Sequence, residues 1–320
     1  MDDDCETKIL TGLLLSMADE ITSPKEIVFN DLTLETLPII YPFLLSSGSM
    51  SCDYTAGGIY MWIDYFKYQY CILDCTLFLK GVAQDDVTKT AFSLPIGMMP
   101  IRESVYLLKK YCDRNGLRLE FSAISEERIE EFKDEKPKMI TELVHWADYI
   151  YLADDLATLR GNKLSKKRNH VNRFMIDYPR AEFLKITPKL LPKVKDCFDK
   201  ICAISVDSEM AKYERSQTWN VLDNLEKYPF ETLCIIVDGE VVAFTIGEVI
   251  SDILHVHIEK AIHNYNGASE MINKAFVVDI LKRHNIKYVN REDDAGDEGL
   301  RKAKMSYHQT KLLAKYNVIF

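Results

Sequence analysis

The chain has 320 residues, room for two domains of ordinary size, and its 47% hydrophobic against 28% charged residues is the profile of a globular protein. Few glycines (13) and prolines (10) exclude collagen-like and low-complexity chains and disfavour an all-β fold, which needs a turn about every ten residues. Forty-nine acids against 40 bases leave a net charge of −9, which disfavours bulk electrostatic binding of nucleic acid and leaves only a local basic patch for it.

Residues 1–24 read as a short polar extension or a loosely docked helix, beginning with Met1-Asp2-Asp3-Asp4 where a secretory leader would be basic. A helix is expected over Ile27–Leu45, made uneven by Pro38 and Pro42. The aromatic run Tyr60, Trp62, Tyr65, Phe66, Tyr68, Tyr70 reads first as core packing and second as a pocket wall. Strands follow at Cys71–Asp74, Leu77–Val82 and Thr90–Leu94. Next come a helix over Ile101–Asn115 capped by Gly116, a strand at Leu117–Phe121, a helix from Ser125 and a strand at Tyr149–Leu152.

The second half repeats the order. Helices are expected at Pro188–Ala203 and Ser208–Tyr228, then a hairpin of Leu233–Val237 and Val241–Ile246 about Asp238-Gly239. A strand at Ile253–Ile262, the loop Asn264–Gly267, a helix over Ala268–His284 and a strand at Ile286–Asn290 follow. A helix over Asp297–Tyr307 and a closing strand at Leu312–Ile319 complete the chain. The class is α+β with mixed sheets, divided as 1–24, 25–160 and 161–320. No run approaches the roughly 18 apolar residues of a membrane span. None of the eight cysteines forms a Cys-x-x-Cys pair, so they read as reduced thiols of a cytoplasmic protein.

Four constellations could carry chemistry. Residues 163–173 hold five bases and no acid; Arg168, Asn169, Asn172 and Arg173 could share a phosphate- or carboxylate-binding helix face, or merely coat a solvated linker. Asn266 and Gly267 open a helix, where free N–H groups suit an anion, or form an ordinary turn. Alternation places His255, His257 and Glu259 on one strand face, as polar site lining rather than a metal site, since nothing completes the ligand set. Asn290, Arg291, Glu292 and Asp293 end a strand just before a helix carrying Arg301, Lys304, Tyr307 and His308. Helix capping explains the signs of those charges but not their density. Arg168, Asn169, Asn172, Glu259, Arg291, Asp293, Arg301 and Lys304 are expected to converge on one cleft.

The element order resembles the GCN5-related N-acetyltransferase fold, present twice in tandem. The segments Arg168-Asn169-His170-x-Asn172-Arg173-Phe174, His257-Ile258-Glu259-Lys260-Ala261, Asn290-Arg291-Glu292-Asp293-Asp294 and Leu300-Arg301-Lys302-Ala303-Lys304-x-Ser306-Tyr307-His308 resemble a bacterial domain family of unknown function. That family is related to the C-terminal soluble domain of phosphatidylglycerol lysyltransferases. More distantly, Lys304-x-x-Tyr307 is similar to an element of Fem-type aminoacyltransferases. The resemblance implies an acyltransferase moving an aminoacyl group from aminoacyl-tRNA to a lipid, peptide or small amine or hydroxyl acceptor, with no tightly bound cofactor and no metal. It implies Lys304, Arg301, Asp293 and Glu259 as catalytic residues. Substrate would be held by Arg168, Asn169, Asn172, Arg173, His257, Asn266, Gly267, Asn290, Arg291, Glu292, Tyr307 and His308. An acetyl-coenzyme A-dependent N-acetyltransferase and a non-catalytic binding module are the alternatives.

Overall fold

A computed structural model describes residues 26–204 and 209–320, so the extension expected over 1–24 lies outside the described residues. The chain forms two units, each with its own mixed sheet.

In the first unit the sheet order is β1 (Asn30–Asp31), β2 (Gln69–Leu73), β3 (Thr76–Val82), β4 (Thr90–Phe92), β6 (Glu120–Ser125), β15 (Lys315–Ile319), β7 (Met139–Glu142), with β5 (Ile96–Gly97) on β3. Asp74 and Cys75 both take positive φ, giving the β2–β3 hairpin the twist a two-residue turn requires. The first helix is shorter than expected: α1 spans Leu37–Ser46, with Pro38 in its first turn, where the missing N–H costs nothing. Trp62, Tyr65, Phe66 and Tyr68 contact one another edge-on or tilted, the core-packing alternative. Helix α3 (Ile101–Asn115) buries Val105, Leu108 and Cys112 as the spacing predicts and ends on left-handed Gly116. It joins β4 to β6, the parallel pair of this sheet. The helix expected from Ser125 is instead the end of β6 and a 3-10 segment at Ile129–Glu135, because Ser125 is held in the ladder with Lys315.

The second unit opens with residues 50–61, including α2 (Ala56–Tyr60), and continues from His145 to Leu313. Its strands run β14 (Lys311–Leu313), β8 (Asp148–Leu152), β13 (Tyr288–Asn290), β12 (Ile253–Ala261), β11 (Glu240–Ile250), β10 (Glu231–Val237), β9 (Glu182–Leu184). Its helices are α4 (Ala153–Thr158), α5 (Ser165–Asp177), α6 (Leu191–Cys202), α7 (Glu209–Asp223), α8 (Ala268–Leu281) and α9 (Glu298–Met305). Asp238 and Gly239 have positive φ, so the β10–β11 hairpin forms where the Asp-Gly pair predicts it. Phe174, Ile272, Phe276, Ile280, Leu254 and Val289 form the core between α5, α8 and the sheet. The parallel pair β12–β13 is joined through α8, as β4–β6 is through α3, so the acetyltransferase-like order occurs twice.

Three differences from the sequence reading bear on function. Residues 145–160 supply β8 to the second sheet rather than ending a first domain at residue 160. The closing strand 312–319 divides at Ala314, with β14 in one sheet and β15 in the other. Finally, Ile246 pairs with Ile258 but Gly247 pairs with Val256, so His257 is the extra residue of a β-bulge. A Cβ at Gly247 would strike the His255 carbonyl, which the bulge brings close. The bulge breaks the alternation: His255 and His257 stack on one side of the sheet, while Glu259 points to α8 on the other.

Candidate active site

The site is built around the C-terminal end of β13, where successive side chains leave the sheet in opposite directions. Arg291 goes to the helix side. Its Nη2 donates to Glu259 Oε1 at 2.9 Å, and Asn273 Nδ2 of α8 donates to Glu259 Oε2 at 2.8 Å. The guanidinium lies 4.8 Å from the centre of the Tyr307 ring and 5.9 Å from that of Tyr151. Burial pushes both phenols up, despite Arg291 beside them, so they stay protonated. Lys167 of α5 sits 4.2 Å over the same Tyr307 ring and pairs with Glu270 at 3.2 Å.

Glu292 goes to the other side, facing residues 50–61. Its Oε1 lies 2.7 Å from His257 Nδ1, and Glu248 Oε1 lies 2.9 Å from Nε2. Burial works against an imidazolium, but the two carboxylates prevail and hold it at about 9, so His257 is charged at neutral pH. Glu248 also accepts the Gly57 N–H at 2.9 Å. The close approach needs a glycine: a Cβ on Gly57 would enter the His257 ring. Asn290, fully buried, donates from Nδ2 to Asp148 Oδ2 and to the Met50 carbonyl, both at 2.8 Å, and accepts the Glu292 N–H. Asp148 accepts the Cys52 N–H at 2.8 Å and its thiol at 3.3 Å.

Lys304, half-buried on α9, donates to the Asp293 carbonyl oxygen, and Tyr151 OH donates to the Lys304 carbonyl at 2.8 Å. Burial lowers the Lys304 ammonium below the usual lysine range, opposed by the charges of Asp293 and Glu292. Ligand atoms of Cys52, Asp148 and Asp293 lie within 4.8 Å of one another, close enough to share a cation. All three are already engaged, Cys52 and Asp148 in the contacts above and Asp293 by the Ala295 N–H at 2.8 Å, and Lys304 places a positive charge beside the acids. Arg301, expected with Lys304, instead forms a bidentate pair with Asp294 at 2.9 and 3.0 Å. Burial alone would raise the Asp294 carboxyl; Arg301 and Tyr149 more than offset it and hold it low. Tyr149 OH donates to Asp294 at 2.6 Å, and burial with that neighbour pushes the phenol up to about 12.

A groove of about 400 Å³ opens beside Tyr307. One wall is the start of α5, with Lys163, Ser165, Lys166, Lys167 and His170; the other carries Ser306 and His308. No acid lines it. The first turn of α5 holds bases where helices ordinarily carry acids, so side chains and helix dipole add to one positive field.

Of the predicted cleft residues, Glu259, Arg291 and Tyr307 come together on the helix side, His257, Asn290 and Glu292 lie on the opposite side of the sheet, and Lys304 meets the main chain of Asp293, whose carboxylate lies near Cys52 and Asp148. The basic helix divides differently from its predicted face. Arg168 donates to the Leu159 and Gly161 carbonyls at 2.5 and 3.1 Å, capping the end of α4, and Arg173 pairs with Asp177 at 2.7 Å. Asn169, Asn172 and Asn266 are exposed. Gly267 is left-handed and packs against the His170 carbonyl, so the α5 backbone lies against the start of α8 that the sequence offered to an anion. Sequence reasoning missed Cys52, Gly57, Asp148, Glu248, Tyr151 and Asn273, and held Lys167 only as one base of the segment 163–173. Asp148 directly precedes the expected strand Tyr149–Leu152 and Tyr151 lies within it, both polar groups in an apolar run; the others carry no local signal.

Residues 47–319 match the family described as phosphatidylglycerol lysyltransferase, C-terminal. A conserved protein of unknown function from Bacteroides thetaiotaomicron is 31% identical, with TM-score 0.82, over 92% of this chain and 99% of that one. The L-PGS of Bacillus licheniformis shares the fold with TM-score 0.62 at 14% identity, over 92% and 94% of the two chains. FemX shares it with TM-score 0.60 at 8% identity, over 92% and 98%. An uncharacterized protein of Mycoplasmoides gallisepticum is 22% identical over 196 residues, which span 57% of this chain and 60% of that protein's length. Among the described residues no helix is long and apolar enough to cross a membrane. With a family match that runs through both units and the whole of the site, the chain belongs to the phosphatidylglycerol lysyltransferase C-terminal family.

Proposed function

We propose that the chain transfers an aminoacyl group from a charged tRNA to an amine or hydroxyl acceptor. The observation that carries this reading is the line of groups running from the basic groove, through Lys167 and the Tyr307 ring, to Arg291 and the Lys304–Asp293 pair. A groove without acids in a chain of net charge −9 suits the phosphates of a nucleic-acid end, and the reacting ester would lie beyond Tyr307. The family description names a lysyl group and phosphatidylglycerol, which makes an anionic lipid head group the first acceptor to assay.

The ester is already activated, so no enzyme nucleophile is needed. The acceptor nitrogen or oxygen attacks the carbonyl carbon, and the Asp293 carboxylate takes its proton. Lys304 stabilises the negative charge that develops on the carbonyl oxygen. The bond to the ribose oxygen then breaks, and that oxygen leaves with a proton from Lys304, whose lowered pKa makes it a better acid than an ordinary lysine. Transfer from acyl-coenzyme A has less support, because the α5 backbone lies against the α8 start that would receive a pyrophosphate.

The test is purified protein with a mixed pool of charged tRNA bearing labelled amino acids, offered lipid, peptide and amine acceptors. Label leaving tRNA for one of these is the expected result, with binding that weakens shallowly as salt rises because few phosphates are contacted. Consumption of acetyl-coenzyme A with an amine, and no label leaving tRNA, overturns the reading.

A further inference from the structure

On the helix side of the second sheet, three buried polar atoms have no hydrogen-bond partner among the described residues: Thr245 Oγ1, Asn273 Oδ1 and Arg291 Nη1. All three belong to side chains grouped about Glu259. Asn273 and Arg291 donate to its two oxygens through their other nitrogens, and Thr245 is its cross-strand partner in the β11–β12 ladder. Thr245 and Asn273 are almost fully buried. Leaving a buried polar atom unpaired is unfavourable, and three such atoms about one carboxylate are a concentrated case.

We infer that Thr245, Glu259, Asn273 and Arg291 form a subsite for an α-aminoacyl head, an ammonium one carbon away from a carbonyl. The inference rests on the transfer reading above and says where the amino acid sits. The atoms themselves define the guest. Arg291 Nη1 is a cationic donor and calls for an oxygen acceptor; Asn273 Oδ1 and the Thr245 hydroxyl accept, and so call for an N–H donor. The Glu259 carboxylate disfavours a simple anion, and the Arg291 guanidinium disfavours a simple cation. A guest carrying an ammonium and a carbonyl oxygen on adjacent carbons pairs with both. The same Arg291 stacks on Tyr307 and Tyr151, and Tyr151 holds the Lys304 backbone, so the subsite adjoins the residue given to the developing charge. Arg291 is then the group that touches the acyl oxygen in the ground state, with Lys304 acting as charge develops.

The test uses the full chain and alaninamide, which carries the ammonium and carbonyl without the nucleic acid. Calorimetric titration is expected to show saturable binding of alaninamide and none of N-acetylalaninamide, whose amine is masked. Thr245→Val removes the hydroxyl with little change of shape. It is expected to leave the melting temperature unchanged or raised, and to weaken alaninamide about tenfold, the effect of one lost hydrogen bond to a charged group. Arg291→Lys, which keeps the charge but loses the forked donor, is expected to weaken it further. Equal binding by Thr245→Val, or no saturable binding by the unmodified chain at millimolar concentration, overturns the subsite and leaves these atoms to buried water. Alaninamide binding as expected, with no aminoacyl group leaving tRNA, keeps the subsite and removes the transfer reading. Transfer by Thr245→Val with unchanged kcat and KM removes the subsite and keeps transfer.

Discussion

The two sides of the second sheet treat buried charge differently. Toward residues 50–61, the acids and the histidine are engaged largely by backbone and by one another: Glu248 by Gly57 N and His257, Asp148 by Cys52 N and Asn290, Glu292 by His257. Toward α8, Arg291 and Glu259 form one pair but leave Arg291 Nη1, Asn273 Oδ1 and Thr245 Oγ1 without a partner, beside two aromatic rings and a basic groove. The first arrangement fastens a distant segment of chain to the sheet. The second keeps polar capacity in reserve. Both sides are rich in ionisable residues, and among the described residues Glu248 Oε2 on the first side is also unpaired, so neither the number of charges nor a single unused atom separates structure from site; what separates them is that the unpaired atoms of the second belong to side chains grouped about one carboxylate, Glu259.

Substitutions on the two sides should act differently. Glu248→Ala leaves the His257 imidazolium buried with one carboxylate and frees the Gly57 N–H. It should destabilise the fold by about 3–5 kcal/mol, measured by urea unfolding, the usual cost of removing one partner of a buried ion pair. Lys304→Ala should lower kcat by about 10²–10³ with a smaller change in KM, because the charge it meets appears mainly in the transition state. Its effect on the melting temperature should be minor, the reverse of Glu248→Ala. In the unmodified protein, the alkaline limb of kcat for the proposed transfer should fall below pH 10.5, the ordinary lysine value, because burial lowers the Lys304 pKa.

The pH dependence of stability sharpens the comparison further. The folded-state pKa of His257 is raised from 6.5 to about 9, so its stabilisation is fully present below about pH 6.5 and is lost as pH rises through about 9. Unfolding free energy measured from pH 6 to 10 should therefore decline over that window, and His257→Gln should flatten the decline. Arg173→Ala removes only an exposed i,i+4 pair with Asp177 and should change stability by about 0.5 kcal/mol or less, with transfer unaffected. A large loss of transfer in that variant would return the exposed face of α5 to the site.

Much of the fold was legible because its signals are local. Asp238-Gly239 can take the positive φ of a tight hairpin turn, and Gly116 the left-handed cap of α3, whatever surrounds them. The apolar stripe of α3 needed only the helix repeat. The nearness of Arg291, Asp293, Lys304 and Tyr307 was visible because a strand end, a short loop and a helix of two turns keep them close in sequence and therefore close in space. What local pattern could not supply was decided by long-range pairing. One inserted residue at His257 reverses the strand's alternation, and nothing in residues 253–262 marks it, since Gly247, which makes room for the His255 carbonyl that the bulge brings close, lies across the ladder. The division of residues 311–319 between two sheets depends on which strands have an open edge. Arg168, which looked poised for phosphate, serves the carbonyls at the end of α4 because the turn at Gly161 brings them within reach. The α+β class, the turns, the helix faces and the inventory of charged groups are properties of a few neighbouring residues and could be read along the chain. Which charges meet, on which side of the sheet, and which atoms stay unpaired depend on partners tens to hundreds of positions away, such as Gly57 with Glu248 and Asn290 with Met50, and became visible in the folded chain alone.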